Sequence, residues 1–148
     1  MSEILERIQE DLNSALKAGE KLRVSTLRML SSELKNRRID LGRELEDEEA
    51  VEVLFRARKQ RREAEEQYRE AGREELAERE AAEAEIVQAY LPEPLSDEEL
   101  DRIIDEAIEE TGATDPGQMG AVMGRVMPRV KGRAQGAEVS RRVRERLA

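Results

Sequence analysis

Residues 91–100 read Leu-Pro-Glu-Pro-Leu-Ser-Asp-Glu-Glu-Leu, and this stretch divides the chain. Pro92 and Pro94 have no amide hydrogen, and each disfavours helical geometry in the residue before it, so a helix cannot pass through. Ser96 and Glu99 then have the spacing of a capping box, in which hydroxyl and carboxylate each accept from a free amide at a helix start. The sequence therefore predicts an N-terminal domain at residues 1–91, a proline-containing linker at 92–95 and a C-terminal domain at 96–148.

On the N-terminal side of this stretch, apolar residues recur at helical spacing. Four helices are predicted, and glycines mark three of their ends. The first helix stops at Gly19, and the second runs from about Glu20 to Asp40 and is ended by Gly42. The third ends at the Ala71-Gly72 pair, and the fourth runs from Glu74 to about Tyr90. We expect these helices to form a bundle or hairpin domain.

On the C-terminal side, three further helices are predicted. The first starts after Ser96 and the second starts at Asp115-Pro116, because aspartate caps a helix and proline suits its first position. Pro128 is expected to end or kink the second helix. A short third helix carries Val139, Val143 and Leu147. No two-residue alternation typical of strands occurs, so the predicted fold class is all-α, with a small three-helix C-terminal domain.

The composition excludes several classes of function. The chain has 148 residues, of which 41% are charged and 2% aromatic, and it contains no histidine, cysteine or tryptophan. Disulfides, zinc sites of the Cys/His type, cysteine nucleophiles and histidine bases are therefore excluded. No phosphate-loop or dinucleotide glycine motif occurs either, so we expect no cofactor and no metal. The charged N-terminus and the lack of any apolar run of about 20 residues favour a cytoplasmic protein without a membrane partner.

Charge is distributed unevenly along the chain. The net charge is −9, yet residues 116–148 carry eight bases and only two acids, whereas residues 95–115 carry nine acids and one base. Arginine suits phosphate recognition, and a glycine-containing turn at residues 131–136 could expose amides beside cations. No aromatic residue lies there to stack on bases, so tRNA or other RNA would be held by its backbone. The predicted RNA-binding residues are Lys131, Gly132, Arg133, Arg141, Arg142, Arg144 and Arg146; ordinary helix electrostatics is the alternative.

A second candidate cluster combines arginines with carboxylates. Arg61 lies on the apolar side of the third helix, and Glu80 and Glu83 lie on the stripe of the fourth. Because an unpaired buried charge is costly, Arg61 or Arg58 is expected to meet both carboxylates in a structural ion-pair network. Two alternatives remain open. The carboxylates could act as acid and base or bind Mg²⁺, or the buried stripe could consist of Ala77, Ala81 and Ala84.

A pair of small residues stands out in the sixth predicted helix. Gly120 and Gly124 are four residues apart and lie on one helix face. In a soluble protein this spacing favours close approach of another helix over ligand binding.

Several motifs together resemble the YqeY family of GatB/YqeY proteins over essentially the whole chain. They are Arg61-Arg62-Glu63, Ala71 to Leu76, Glu80, Glu83, Tyr90-Leu91-Pro92, Met119 to Met123, and Pro128 to Ala134 with Gly136. The resemblance implies a helical domain followed by one similar to the tail of GatB in the glutamine-dependent aspartyl/glutamyl-tRNA amidotransferase, where the tail is implicated in holding tRNA. Gln135 departs from the family pattern, in which an acidic or small polar residue could cap the last helix.

The resemblance associates this chain with a carbon–nitrogen ligase that uses glutamine as amide donor. Such an enzyme needs a glutaminase nucleophile and an ATP site, and the sequence offers neither. We therefore expect a non-catalytic module that binds tRNA or docks onto a tRNA-modifying or aminoacylation complex. The alternative is a protein-docking module with no RNA contact.

Overall fold

The computed structural model describes residues 3–148, and helices account for all their regular structure. The helices are α1 (Glu3–Ala18), α2 (Lys21–Leu41), α3 (Asp47–Glu70), α4 (Glu74–Gln88), α5 (Asp97–Thr111), α6 (Met119–Val130) and α7 (Gly136–Leu147). A single 3₁₀ turn at Pro116–Gln118 leads into α6. No strand occurs within 3–148, so the predicted all-α class is confirmed.

The chain forms two compact units, residues 1–91 and residues 92–148. Residues 92–95, which the sequence predicts as a linker, group with the C-terminal unit. The Leu95 amide donates to the carbonyl of Arg133 at 3.0 Å, and the Leu95 side chain packs against the C-terminal core. These four residues are therefore tied to the unit that follows them.

The N-terminal unit is built from α1 to α4 around one leucine-rich core. Its largest fully buried side chains come from all four helices: Leu5, Ile8, Leu27, Leu30, Leu34, Leu54 and Val87. The α3–α4 hairpin has the most extensive packing. At the end of α2, Gly42 adopts left-handed backbone angles and its amide donates to the carbonyls of Arg38 and Ile39. Glycine takes this conformation at little steric cost, which is why the helix ends there.

The C-terminal unit packs α5, α6 and α7 around a second core. Apolar residues at three- and four-residue spacing form it: Leu100, Ile104, Val122, Val126, Val130, Val139, Val143 and Leu147. Burying each such side chain contributes about 1.5–3 kcal/mol. The start of α5 is the predicted one, because the Glu99 amide donates to the Ser96 hydroxyl at 3.1 Å.

One local feature of the C-terminal unit differs from expectation, and a second concerns the start of α7. Helix α6 does not end at Pro128 but continues to Val130. Proline in the last turn costs only one helical hydrogen bond, and Val130 is fully buried, so core packing holds that turn in place. Helix α7 begins after Gln135, whose backbone has cap geometry although its side chain makes no capping hydrogen bond.

Candidate functional site

Carboxylates along one edge of α5 pair with the arginines of α6 and the turn after it. The three pairs repeat along the helix: Arg125–Glu110 at 3.6 Å, Arg129–Glu106 at 2.9 Å and Arg133–Glu99 at 3.8 Å. Arg133 also donates from Nε to the carbonyl oxygen of Glu93 at 2.9 Å. Arg133, a predicted RNA-binding residue, is therefore held against the start of α5.

The other edge of α5 pairs with α7 in the same way. The Arg142 guanidinium lies 2.9 Å from both Asp97 and Asp101 and donates from Nε to Glu138 at 2.8 Å. Its side chain is only 16% exposed, and its hydrogen bonds to Glu138 and Asp101 raise the pKa of Arg142 above its ordinary value. One turn later, Arg146 lies 2.7 Å from Asp105. The carboxylates of α5 thus occupy the guanidinium groups of Arg142 and Arg146, which the sequence predicts to bind RNA.

The remaining predicted RNA-binding residues lie at the turn and on the outer side of α7. Arg141 pairs with Glu138 at 2.6 Å and with Glu145 at 2.8 Å, both on its own helix. Arg144 is exposed and makes no ion pair with any described residue. Lys131 is exposed, and Gly132 has a positive φ of 76° in the turn between α6 and α7.

Because of these ion pairs, the positive charge of residues 116–148 does not make the C-terminal unit positive as a whole. Residues 116–148 carry +6, but the C-terminal unit as a whole has nine bases and twelve acids and therefore a net charge of −3. The sequence contains equal spacings on the two helices, but it does not show that these helices pack side by side. Asp97, Asp101 and Asp105 step by four along α5, and Arg142 and Arg146 step by four along α7. The facing helices convert this spacing into ion pairs.

The small-residue face of α6 is open. Gly120 and Gly124 are exposed, and a methyl group added at either position would meet no atom within 4 Å. The sequence favours close approach of another helix at this face, and in that respect the expectation is wrong for the described part of the chain, 3–148. The face is accessible to solvent.

In the N-terminal unit, the structure brings Arg61 and Glu83 together. Arg61 Nε lies 3.4 Å from Glu83 Oε2, and the two side chains are 15% and 16% exposed. A guanidinium nitrogen of Arg61 also contacts the sulfur of Met29, so the residue touches α2 as well as α4. Arg79 lies 3.5 Å from the other oxygen of Glu83. The contacts make this cluster a junction of three helices.

Arg58 and Glu80, the other two members of the predicted network, have different surroundings. Arg58 donates to the amide oxygen of Gln88 at 2.9 Å and lies over the ring of Phe55. Burial lowers its pKa. Burial, and then the negative charge of Glu83, raise the pKa of Glu80, while the charge of Arg61 opposes the rise. Arg62, which the prediction omitted, joins α3 to α4 through Glu85 at 2.5 Å.

A further polar cluster joins Tyr90, just after α4, to α1. The Tyr90 hydroxyl donates to Asp11 of α1, and the guanidinium of Arg7 lies 5.0 Å from the centre of the Tyr90 ring. Burial and the hydrogen bond to Asp11 raise the pKa of Tyr90 to about 12. The sequence signal for this contact was the tyrosine directly before Leu91-Pro92, but its partner is 79 residues away.

Two kinds of feature are absent within residues 3–148. No group of three or more histidine, cysteine, aspartate or glutamate side chains there is placed to hold a metal ion. No helix within the same range has the length and apolar character required to cross a membrane.

Comparison with known proteins places these features in a family. The family model for Yqey-like proteins matches residues 5–147. Altered inheritance of mitochondria protein 41, mitochondrial, from Lachancea thermotolerans is 31% identical over 112 residues, covering 74% of this chain and 60% of that protein. The protein of the same name from Clavispora lusitaniae is 32% identical over 122 residues, covering 80% of this chain and 71% of that protein.

Proposed function

This chain belongs to the YqeY family, and on that premise we propose that it is a non-catalytic tRNA-binding or accessory module, related to the tail of the glutamine-dependent tRNA amidotransferase. Carbon–nitrogen ligase activity with glutamine as amide donor is a property of the complex that such a module serves. In this proposal the arginine–carboxylate cluster of α3 and α4 stabilises the fold and takes no part in catalysis, since the Glu83 carboxylate is paired with Arg61 and Arg79. A cytoplasmic location is part of the proposal.

One observation supports a contact between α7 and RNA. On α7, Arg142 and Arg146 are held by α5, while Arg144 is exposed and has no ion-pair partner among the described residues. Arg141 lies one turn away, and its partners are exposed residues of its own helix. Exposed pairs of this kind contribute about 0–1 kcal/mol, so a phosphate can displace them. The available cations therefore lie along the outer side of α7, and Lys131 and Gly132, in the turn before it, complete the proposed contact.

The contact is one with the RNA backbone. The three aromatic residues of the chain, Phe55, Tyr68 and Tyr90, all lie in the N-terminal unit, so α7 has no ring on which a base could stack. Backbone contacts depend on charge and shape, and they weaken steeply as salt rises. The acidic remainder of the molecule also repels RNA, so a partner complex would strengthen binding.

The experiment is a titration of full-length protein with total tRNA at about 50 and about 200 mM salt, concentrations across which backbone contacts lose affinity strongly. Arg144→Gln is expected to weaken binding and reduce the salt slope by about 0.7–0.9, the contribution of one phosphate contact. Arg125→Gln is the matched control, because it makes the same charge change at an exposed arginine that pairs with Glu110. Equal tRNA binding by both variants would show that α7 does not contact the RNA.

A second candidate function is a protein-docking module with no RNA contact. The open face at Gly120 and Gly124 favours it, because two glycines one turn apart allow the backbone of a partner helix to approach closely. Absence of salt-sensitive tRNA binding by the full-length protein would favour this second candidate.

A further inference from the structure

Helix α2 carries an exposed basic stripe, which we define as Lys21, Ser25, Arg28, Ser32 and Lys35. All five residues are exposed, and their spacing of three or four residues places them on one side of the helix. Helix α2 has six bases and two acids in a chain whose net charge is −9. It is therefore a concentrated positive element in an acidic protein.

The cations of this stripe have no carboxylate partners. Lys21, Arg28 and Lys35 make no ion pair with any residue in the described range 3–148. Neither Arg28 nor Lys35 has an acid at the neighbouring helical positions three or four residues away. The arginines of the C-terminal unit differ in this respect, because Arg133, Arg142 and Arg146 all pair with carboxylates of α5. Most of the arginines of the chain are neutralised by neighbours, whereas the cations of the basic stripe are not.

We propose that the basic stripe of α2 binds the phosphodiester backbone of RNA. This inference rests on the proposed tRNA function and adds a surface in the N-terminal unit. The three cations follow one another at seven-residue steps, which is about 10 Å per step at 1.5 Å per residue. Ser32 lies between Arg28 and Lys35, and serine hydroxyls are regular donors to phosphate oxygens. The Ser25 hydroxyl, by contrast, donates to the carbonyl of Leu22 at 3.1 Å. The stripe thus offers three cations and the Ser32 hydroxyl along a line of about 20 Å.

The structure argues against an anionic membrane as the occupant. A helix that lies in a membrane surface buries an apolar face in the lipid. The apolar face of α2 is already occupied, because Leu27, Leu30 and Leu34 are fully buried in the N-terminal core. Ile39, 71% exposed, is the one large apolar residue on the outer side of α2. Charge complementarity therefore favours a polyanion that needs no apolar anchor.

Ser32→Glu tests the stripe without disturbing the fold. The new carboxylate would lie four residues after Arg28 and three before Lys35, where it can pair with both cations and support the helix. Ser14→Glu is the matched control, because it makes the same substitution at an exposed position of α1. Ser32→Glu is expected to keep the thermal stability of the wild type. Ser14→Glu, whose new carboxylate lies four residues after Glu10 and three after Asp11, should lower it slightly. Circular dichroism checks both.

The readout is binding of total tRNA to the full-length variants across a range of salt concentrations. We expect Ser32→Glu to weaken binding and to reduce the salt slope by about 1.5, which corresponds to two lost phosphate contacts. Ser14→Glu should bind nearly as the wild type does. If the wild type binds tRNA and the two variants bind equally, the α2 inference is overturned while the proposed function survives.

The remaining outcomes separate the two proposals further. If the wild type shows no tRNA binding at low salt, the proposed function fails and RNA is excluded as the occupant of the stripe. Vesicles of phosphatidylcholine and phosphatidylserine in equal parts serve as the second probe. Binding to these vesicles that Ser32→Glu abolishes, without tRNA binding, would assign the stripe to a membrane surface and overturn the RNA assignment.

Discussion

Arg61 on α3 and Glu83 on α4 face each other with 3.4 Å between Nε and Oε2, and both side chains are about five-sixths buried. Arg61 also contacts Met29 of α2, so a single guanidinium touches two neighbouring helices. The pair is therefore placed where loss of either partner leaves a charge with little water around it.

The first prediction concerns this pair. Arg61→Met should lower the free energy of unfolding by about 3 kcal/mol, because it leaves the Glu83 carboxylate without its buried partner. Arg38→Met is the control, since Arg38 pairs with Glu44 at 3.7 Å on the protein surface, and its loss should cost at most about 1 kcal/mol. Urea denaturation measures both. The double variant Arg61→Met with Glu83→Met should recover much of the loss, since apolar replacements of a buried pair are often neutral.

The second prediction concerns the pH dependence of stability through Glu80. Its pKa is raised in the folded protein, first by burial and then by the charge of Glu83. The folded state therefore holds this proton more tightly than the unfolded state does. Glu80 favours folding below its unfolded pKa, and that contribution is lost as the pH rises through the folded value.

Glu80→Gln should remove this dependence, because the amide remains neutral at every pH. The variant is expected to be more stable than the wild type at pH 7, with the difference shrinking toward pH 3. Urea denaturation at a series of pH values is the measurement. A variant that is less stable at pH 7 would show that attraction to Arg61 outweighs the burial of the Glu80 charge.

The sequence predicted most helix limits because they depend on residues close in the chain. Ser96 and Gly42 act through hydrogen bonds to amides or carbonyls within four residues. The end of α6 was harder to predict, because burial of Val130 in a distant core outweighs the local effect of Pro128. The open face at Gly120 and Gly124 was also misjudged, since sequence spacing reports which residues share a face but not what lies opposite it.

The candidate sites depend even more on how helices are placed side by side. Arg61 and Glu83 were predictable as partners because unpaired charges are rare on buried stripes. The partners of Arg142 and Arg146 were not, since Asp101 and Asp105 are 41 residues away from them in the chain. Only the packing of α5 against α7 reveals that these arginines have carboxylate partners and that Arg144 does not.

The third prediction concerns the open face of α6. Gly124→Ala should raise the free energy of unfolding by about 0.5–1 kcal/mol, because alanine restricts the unfolded chain more than glycine does. The added methyl group meets no atom within 4 Å, so no steric cost offsets this gain. Thermal unfolding measures the effect. A loss of stability would mean that this face is in close contact with another chain in solution.

The fourth prediction separates structural from RNA-binding arginines on α7. Arg142→Gln should lower stability by about 1–3 kcal/mol, since the charge-assisted hydrogen bonds of its guanidinium to Asp101 and Glu138 are lost. Arg144→Gln makes the same charge change at an exposed, unpaired position and should leave stability within about 0.5 kcal/mol of the wild type. Urea denaturation of the full-length variants provides the comparison.

Binding should follow the opposite order. At a salt concentration where tRNA binding is measurable, Arg144→Gln is expected to weaken it, and Arg142→Gln should retain it while the protein stays folded. This follows because the Arg142 guanidinium already lies against Asp97, Asp101 and Glu138, so a phosphate would have to displace three carboxylates to reach it. If Arg142→Gln keeps full stability but loses tRNA binding, the Arg142 guanidinium must exchange its carboxylate partners for RNA phosphates on binding. The acidic helix α5 would then compete with RNA for the same cation.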